Sequence, residues 1–233
     1  MIASMTLLAE NDYVGMTFWL ATAIMLASTV FFFIERSDVN AKWRTSMTVA
    51  GLVTGLAFWH YLYMREAHLQ GEVTTVFRYI DWLITVPLQI VEFYLILAAV
   101  TAVTSILFWR LLGASLVMLV FGFLGEAGLM DATIGFVIGM AGWIYIIYEI
   151  FAGEAAKLSE NSKNAGGQFA FNTLRLIVTV GWAIYPIGYF LGYLSGDEPN
   201  FDTINVVYNI ADLVNKTAFG LAIWVGATMD SSK

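Results

Sequence analysis

The chain has 233 residues, 59% of them hydrophobic and only 12% charged, with 3 prolines and a mean hydropathy of +0.74; that is too apolar for a soluble domain and reads as an integral membrane protein of the all-α class. Its net charge of −7 argues against a nucleic-acid partner, and the absence of cysteine excludes disulfides, thiol nucleophiles and thiolate metal sites. The two histidines and scattered carboxylates show no metal-ligand spacing, so no metal is expected.

Crossing about 30 Å of hydrocarbon takes about 20 apolar residues. Seven stretches are long enough: Tyr13–Phe33, Trp43–Met64, Thr74–Leu97, Thr101–Leu124, Asp131–Phe151, Phe169–Leu194 and Thr203–Met229. Because lipid offers backbone groups no partner, these runs are read as helices, and the fold as a seven-transmembrane helix bundle. No Ser/Gly/Pro-rich linker divides them, so residues 1–233 read as one domain. The N-terminal dozen residues lack the basic and apolar regions of a secretory signal, and no cleaved leader is expected from them.

Basic residues gather in alternate connections: Arg36, Lys42 and Arg44 after the first span, Arg110 at the start of the fourth, Lys157 and Lys163 between the fifth and sixth. The opposite connections hold Arg65 but also Glu66, Glu72, Glu126, Asp197, Glu198 and Asp202. The positive-inside rule then puts the N-terminus outside and the C-terminus in the cytoplasm.

The third span runs inward through "RYIDWLITVPLQIVEFY", residues 78–94. Asp81, Thr85, Gln89 and Glu92 follow at intervals of four, four and three, which lines them along one helical stripe. Thr85 and Gln89 on such a stripe are open to a second reading, as hydrogen-bond glue between helices. Carboxylates inside a membrane more often mark ion or proton pathways. Glu92 has no basic residue within a turn, so burial favours its neutral acid, which can donate a proton toward the cytoplasmic side. Asp81 has Arg78 one turn away, favouring the carboxylate, a proton acceptor on the outer side.

The seventh span carries Lys216 near its middle and Asp212 one turn before it, on the same face. An unpaired lysine at that depth costs about 2.5–3.5 kcal/mol. The pair reads either as a structural ion pair or as a counter-ion beside a lysine that holds a carbonyl cofactor covalently.

Together with "FFFIER" (31–36), "FWHYLYMR" (58–65), "GWAIYPIGYF" (181–190) and "NIADLVNKTAFG" (209–220), the third-span segment resembles the microbial rhodopsins, and within them the proteorhodopsins, over essentially the whole chain. The resemblance implies that Lys216 binds all-trans retinal as a protonated Schiff base. It implies Asp81 as main counter-ion and proton acceptor, Asp212 as second counter-ion, Arg78 as their stabiliser and Glu92 as proton donor. Thr85 is the middle of the family's Asp/Thr/Glu signature for outward proton pumping. His60 matches a histidine that hydrogen-bonds the counter-ion aspartate, against the plainer reading of a satisfied interface histidine. Gln89 matches the colour-setting position, where glutamine implies blue absorption. Trp19 and Glu35 match positions near the family's protomer contacts, against the plainer reading of an interfacial aromatic and a solvated helix end; the resemblance separately implies a homo-oligomer of five or six chains.

A polyene needs an apolar slot walled by flat side chains. Trp82, Trp182 and Tyr185 flank the charged cluster and match the family's pocket, with Tyr189 a weaker member and Tyr208 a hydrogen-bonding neighbour. Glu126, Asp12, Glu149 and Glu154 are read as loop and helix-end charges. The chain is therefore expected to be a light-driven outward proton pump in a bacterial inner membrane, turning over no chemical substrate. The alternative is a photosensory rhodopsin signalling to a transducer, against which the internal donor Glu92 argues; a seven-helix transporter or receptor without retinal is the more distant rival.

Overall fold

The computed structural model describes residues 8–196 and 200–231. Asp197 and Glu198, counted in the charge asymmetry above, lie outside the described residues. Helix α1 (Tyr13–Glu35) starts where Asp12 caps it, the carboxylate accepting from the Gly15 amide at 2.7 Å. A short 3₁₀ turn, Ala41–Trp43, leads into α2 (Arg44–Leu69), followed by α3 (Thr75–Val100) and α4 (Ser105–Glu126). Glycines end α2 and α4 where the backbone turns left-handed, Gly71 at φ 75° and Gly128 at φ 70°, a conformation a Cβ would penalise.

The fifth span is α5 (Ala132–Phe151), and its connection to the sixth is itself helical, the short α6 (Glu154–Asn161), where a loop was expected. Phe169 was the expected start of the sixth span; the helix begins earlier, as α7 (Ala165–Leu176). It widens into a π-helical turn at Ile177–Gly181, tightens into α8 (Ile184–Tyr189), and widens again at Phe190–Leu194. Pro186 lies in the interrupted part, where its missing N–H and its ring disfavour a regular ladder. Pro87, by contrast, sits inside an unbroken α3. The last helix, α9, spans Phe201–Ser231.

Six of the crossing segments pass as long and apolar enough to span a membrane on composition alone. The seventh, α2, matches them in length but carries more polar residues. Each helix packs on its chain neighbours, and α9 closes on α1, forming a ring in which α3 and α9 are the most buried. One face of the bundle holds the start of α1, the end of α2 and the start of α3; it is called here the Tyr13 face, and the opposite one the Glu35 face.

A tight seam joins α4 to α5. Gly135, Gly139 and Gly142 line it, and a Cβ at Gly135 or Gly142 would meet a main-chain carbonyl of α4 at 2.7 or 2.8 Å. Small residues let membrane helices approach closely enough for dispersion to hold them without a hydrophobic driving force.

Candidate functional site

The i, i+4 spacing on α9 brings Asp212 and Lys216 together as expected, and α3 supplies the third member. Lys216 Nζ donates to Asp81 Oδ2 at 2.7 Å and to Asp212 Oδ2 at 2.9 Å, with all three side chains at most 2% exposed. A buried lysine is thus flanked by two carboxylates, and a net negative charge remains to be offset.

Hydrogen-bond donors surround Asp212 to do so. Oδ1 accepts from Tyr185 at 2.6 Å, Oδ2 from Tyr61 at 2.9 Å, and Trp82 Nε1 bridges both oxygens at 3.3 and 3.2 Å. Arg78 lies beyond this ring, donating to Tyr61 Oη at 3.3 Å, Asn205 at 2.9 Å and Asn209 at 3.0 Å. Arg78 therefore reaches Asp212 through the Tyr61 hydroxyl. Tyr61, Asn205 and Asn209 were not singled out from sequence; Asn205 and Asn209, four apart on α9 and in register with Asp212, were the available signal.

His60 comes close to Asp81 without the hydrogen bond that the resemblance implies. Its Nδ1 is 3.4 Å from Asp81 Oδ1, which has no hydrogen-bond partner among the described residues. The same nitrogen is 2.8 Å from the Leu56 carbonyl; as a carbonyl only accepts, Nδ1 carries the proton and donates it there. Thr85 donates to the Asp81 carbonyl one turn back at 3.0 Å, so its proton is used within α3.

Along the same stripe toward the Glu35 face, Glu92 is 1% exposed and neither carboxyl oxygen has a hydrogen-bond partner among the described residues. Ser46 of α2 is the polar side chain that approaches it, too loosely to count as bonded. Gln89, 2% exposed, leaves its amide nitrogen unpaired, so it too is not tied to a neighbouring helix through that donor.

An apolar cavity opens from Lys216 between α3, α4, α5 and the sixth span. Trp82, Val86, Gln89, Met118, Trp143, Trp182, Tyr185 and Pro186 line it, with Lys216 and Asp212 at its polar end. All the aromatics expected to wall a polyene are present, Tyr189 included, although its hydroxyl is spent on the Ala132 carbonyl at 2.8 Å. Trp143, on α5, was missed. Tyr208 stays outside the cavity and donates to the Tyr185 carbonyl at 3.2 Å, the neighbour role expected of it. An apolar cavity with a lysine amine at its polar end fits a polyene aldehyde joined to that amine: aromatic rings wall it, and Gln89 is one of the few polar side chains among them.

Two expected loop charges turn out to be built into the bundle. Glu126 is the last residue of α4, partly buried, and accepts from Tyr79 at 2.8 Å. Glu149 is 2% exposed; Arg110 meets it at 3.2 Å, Tyr145 donates to it at 3.2 Å, and it accepts from the amide of Glu154, itself paired with Arg110. The helix carrying Glu126 runs past Leu124, where the apolar stretch that marked it ends, whereas Glu149 lies inside the expected fifth span and is held inward by Arg110 of α4. Glu35 is bonded within the chain, by Trp224 at 2.8 Å, while Trp19 remains 41% exposed under the Arg65 guanidinium at 4.1 Å.

The family model described as "Bacteriorhodopsin-like protein" matches residues 12–229. A green-light absorbing proteorhodopsin from Gamma-proteobacterium EBAC31A08 is 58% identical over 97% of this chain and 90% of its own. A blue-light absorbing proteorhodopsin from Gamma-proteobacterium Hot 75m4 is 57% identical over 95% and 89%. Among solved structures, the blue light-absorbing proteorhodopsin from Med12 superimposes with a TM-score of 0.82 at 64% identity, covering 94% of this chain and all of that one. The chain belongs to the bacteriorhodopsin-like family, as a multi-pass membrane protein related to the proteorhodopsins.

Proposed function

We propose that this chain is a light-driven outward proton pump carrying all-trans retinal on Lys216, blue-absorbing and resident in a bacterial inner membrane. The observation that carries the reading is the placement of Lys216 Nζ, 2.7 and 2.9 Å from two buried carboxylates at the end of an aromatic cavity, with a third, unpartnered acid further along α3. Bound at Lys216, retinal would supply light absorption and photoisomerisation.

Trp82, Trp182, Tyr185 and Tyr189 would hold that group, and Gln89 would set its colour by placing a polar amide along the polyene. Asp81 takes the proton from Lys216 Nζ, because its Oδ2 already receives the shortest bond from that nitrogen and its Oδ1 is unsatisfied. Asp212 is the weaker acceptor, its oxygens being occupied by Tyr61, Trp82 and Tyr185. His60 of α2 stands beside the free Asp81 oxygen at 3.4 Å, and Thr85 is bonded one turn along α3 from it. Arg78 offsets the charge left on the carboxylate pair.

Glu92 refills the lysine nitrogen from the other side. An acid with no counter-charge in a dry interior is stable as the neutral form, which is the form that can donate. The separation from Asp81 is 11 residues of helix, about 16 Å, so acceptor and donor cannot exchange protons directly. Direction follows from the charge asymmetry of the connections, which puts the Tyr13 face outside. The family resemblance adds a homo-oligomer of five or six chains. A visible absorption band of the purified protein, bleached by hydroxylamine and absent in Lys216→Ala, is the expected result; a band that survives the substitution would refute Lys216 as the attachment point.

A further inference from the structure

Arg78 is 3% exposed, yet among the described residues no carboxylate forms an ion pair with it. A buried guanidinium ordinarily takes one, because an unpaired charge in a dry interior is costly. Here neutral groups stand in its place. Nη2 donates to Oδ1 of Asn205 at 2.9 Å and to Oδ1 of Asn209 at 3.0 Å, and Nη1 donates to the Tyr61 hydroxyl at 3.3 Å. The rings of Phe18, Tyr61 and Tyr208 lie 5.9, 6.0 and 5.4 Å from the guanidinium carbon and add cation–π attraction.

Neither amide is free to turn. Asn209 Nδ2 donates to Thr17 Oγ1 at 3.0 Å, and Thr17 can only accept there, since its own proton goes to the Val14 carbonyl at 2.8 Å. Asn205 Oδ1 takes a second bond from the Thr74 hydroxyl at 2.8 Å. Beyond them a second, polar cavity lies at the Tyr13 face, lined by Arg78 and Asn205 and by the carboxylates Glu72, Glu126 and Asp202. Lys216 with Asp81 and Asp212 carries one negative charge in excess, which Arg78 offsets only while its charge is not consumed elsewhere.

We propose that Asn205 and Asn209 are positioning residues that hold Arg78 inside the bundle without neutralising it, so that its full charge acts through Tyr61 on the carboxylates flanking Lys216. The role rests on the reading of Asp81 as the proton acceptor beside a retinal-bearing lysine. An aspartate at either position would keep the shape but pair with the guanidinium. An alanine would release the guanidinium toward the carboxylates of the outer cavity. In both cases less positive charge acts on Asp81 than in the native chain. The other groups whose charge bears on Asp81 are Lys216 and Asp212 of α9, and His60 and Tyr61 of α2. The plainer alternative is that the two amides only tie α1, α3 and α9 together.

The test uses the full chain with retinal in lipid nanodiscs, titrated in the dark while the visible band is followed; the pH midpoint of the colour change reports protonation of Asp81. Arg78→Gln sets the sense of the displacement caused by losing the guanidinium charge. Asn205→Asp is expected to displace the midpoint in that same sense by about one unit, tenfold in proton affinity, and Asn209→Ala by roughly half a unit, about threefold. In an Arg78→Gln background Asn209→Ala should add no displacement. If Asn209→Ala fails to assemble, Asn205→Ala in the same two backgrounds decides. An unmoved midpoint in Asn205→Asp, which could still tie the helices, overturns the proposal. So does a displacement in the opposite sense, or an equal effect of the alanine with and without Arg78. A wild-type chain that takes up retinal without a visible band overturns the Lys216 reading itself, a result separable from any difference between variants.

Discussion

Lys216 sits in the bundle interior only because Asp81 and Asp212 stand 2.7 and 2.9 Å from its nitrogen, and each carboxylate answers a different need. Asp212 is saturated with donors and serves as fixed charge; Asp81 keeps an oxygen unpaired and can accept. Asp81→Asn should therefore lower light-driven proton transport by about a hundredfold or more, measured as initial acidification rate, while Lys216 still carries the chromophore. Glu92→Gln should leave the first proton transfer intact and slow return of the proton to Lys216, with added azide restoring the rate; an unchanged photocycle would demote Glu92 to a structural residue. Gln89→Leu should shift the visible band to longer wavelength, because an amide without a partner for its nitrogen is exchanged for a hydrocarbon beside the polyene. The helical spacings within α3 and α9 made Asp81, Glu92, Asp212 and Lys216 readable from sequence, since a period of 3.6 aligns them without knowledge of the fold. Tyr61 and Trp143 were not readable, because a tyrosine or tryptophan among so many membrane aromatics carries no mark of which partner it meets. Glu126 was misread because hydropathy locates an apolar stretch, not the end of the helix that contains it, and Glu149 because its partner, Arg110, comes from another helix.

At the scale of elements, the spans were legible and their irregularities were not. Pro186 signals an interruption in the sixth span, but the π turns at Ile177–Gly181 and Phe190–Leu194 arise from packing. At the first of them Gly181 leaves room for Asn215, whose amide donates to the Gly181 carbonyl at 3.1 Å. The glycine seam of α4 and α5 is equally strict: Gly142→Leu has a main-chain carbonyl where its Cβ must go and should cost about 1–3 kcal/mol or more in thermal unfolding. The start of α1 carries a pH dependence. Burial pushes the Asp12 carboxyl up, but the Gly15 amide and His68 outweigh it and hold it below its ordinary 3.8. A carboxylate depressed in the folded state stabilises above 3.8 and loses that contribution as pH falls through the lowered folded value. Asp12→Ala should accordingly cost about 1 kcal/mol near neutral pH, with the gap to wild type shrinking in acid; a gap constant across the titration would contradict the cap.

Over the whole molecule, the arrangement is directional. The counter-ion cluster, Arg78 and the outer polar cavity lie on the Tyr13 side of Lys216, and the unpartnered Glu92 lies toward the Glu35 face. A structural ion pair needs no such asymmetry, whereas a pump needs an acceptor on one side and a donor on the other. The division of basic from acidic connections in the sequence is the ground on which we propose the Tyr13 face as the outside. The most direct measurement is the pH of a weakly buffered suspension of cells expressing the protein with retinal, followed under illumination. The account predicts acidification of the medium that starts with the light, stops in the dark, and disappears with a protonophore. A steady pH under light, or alkalinisation, would contradict it.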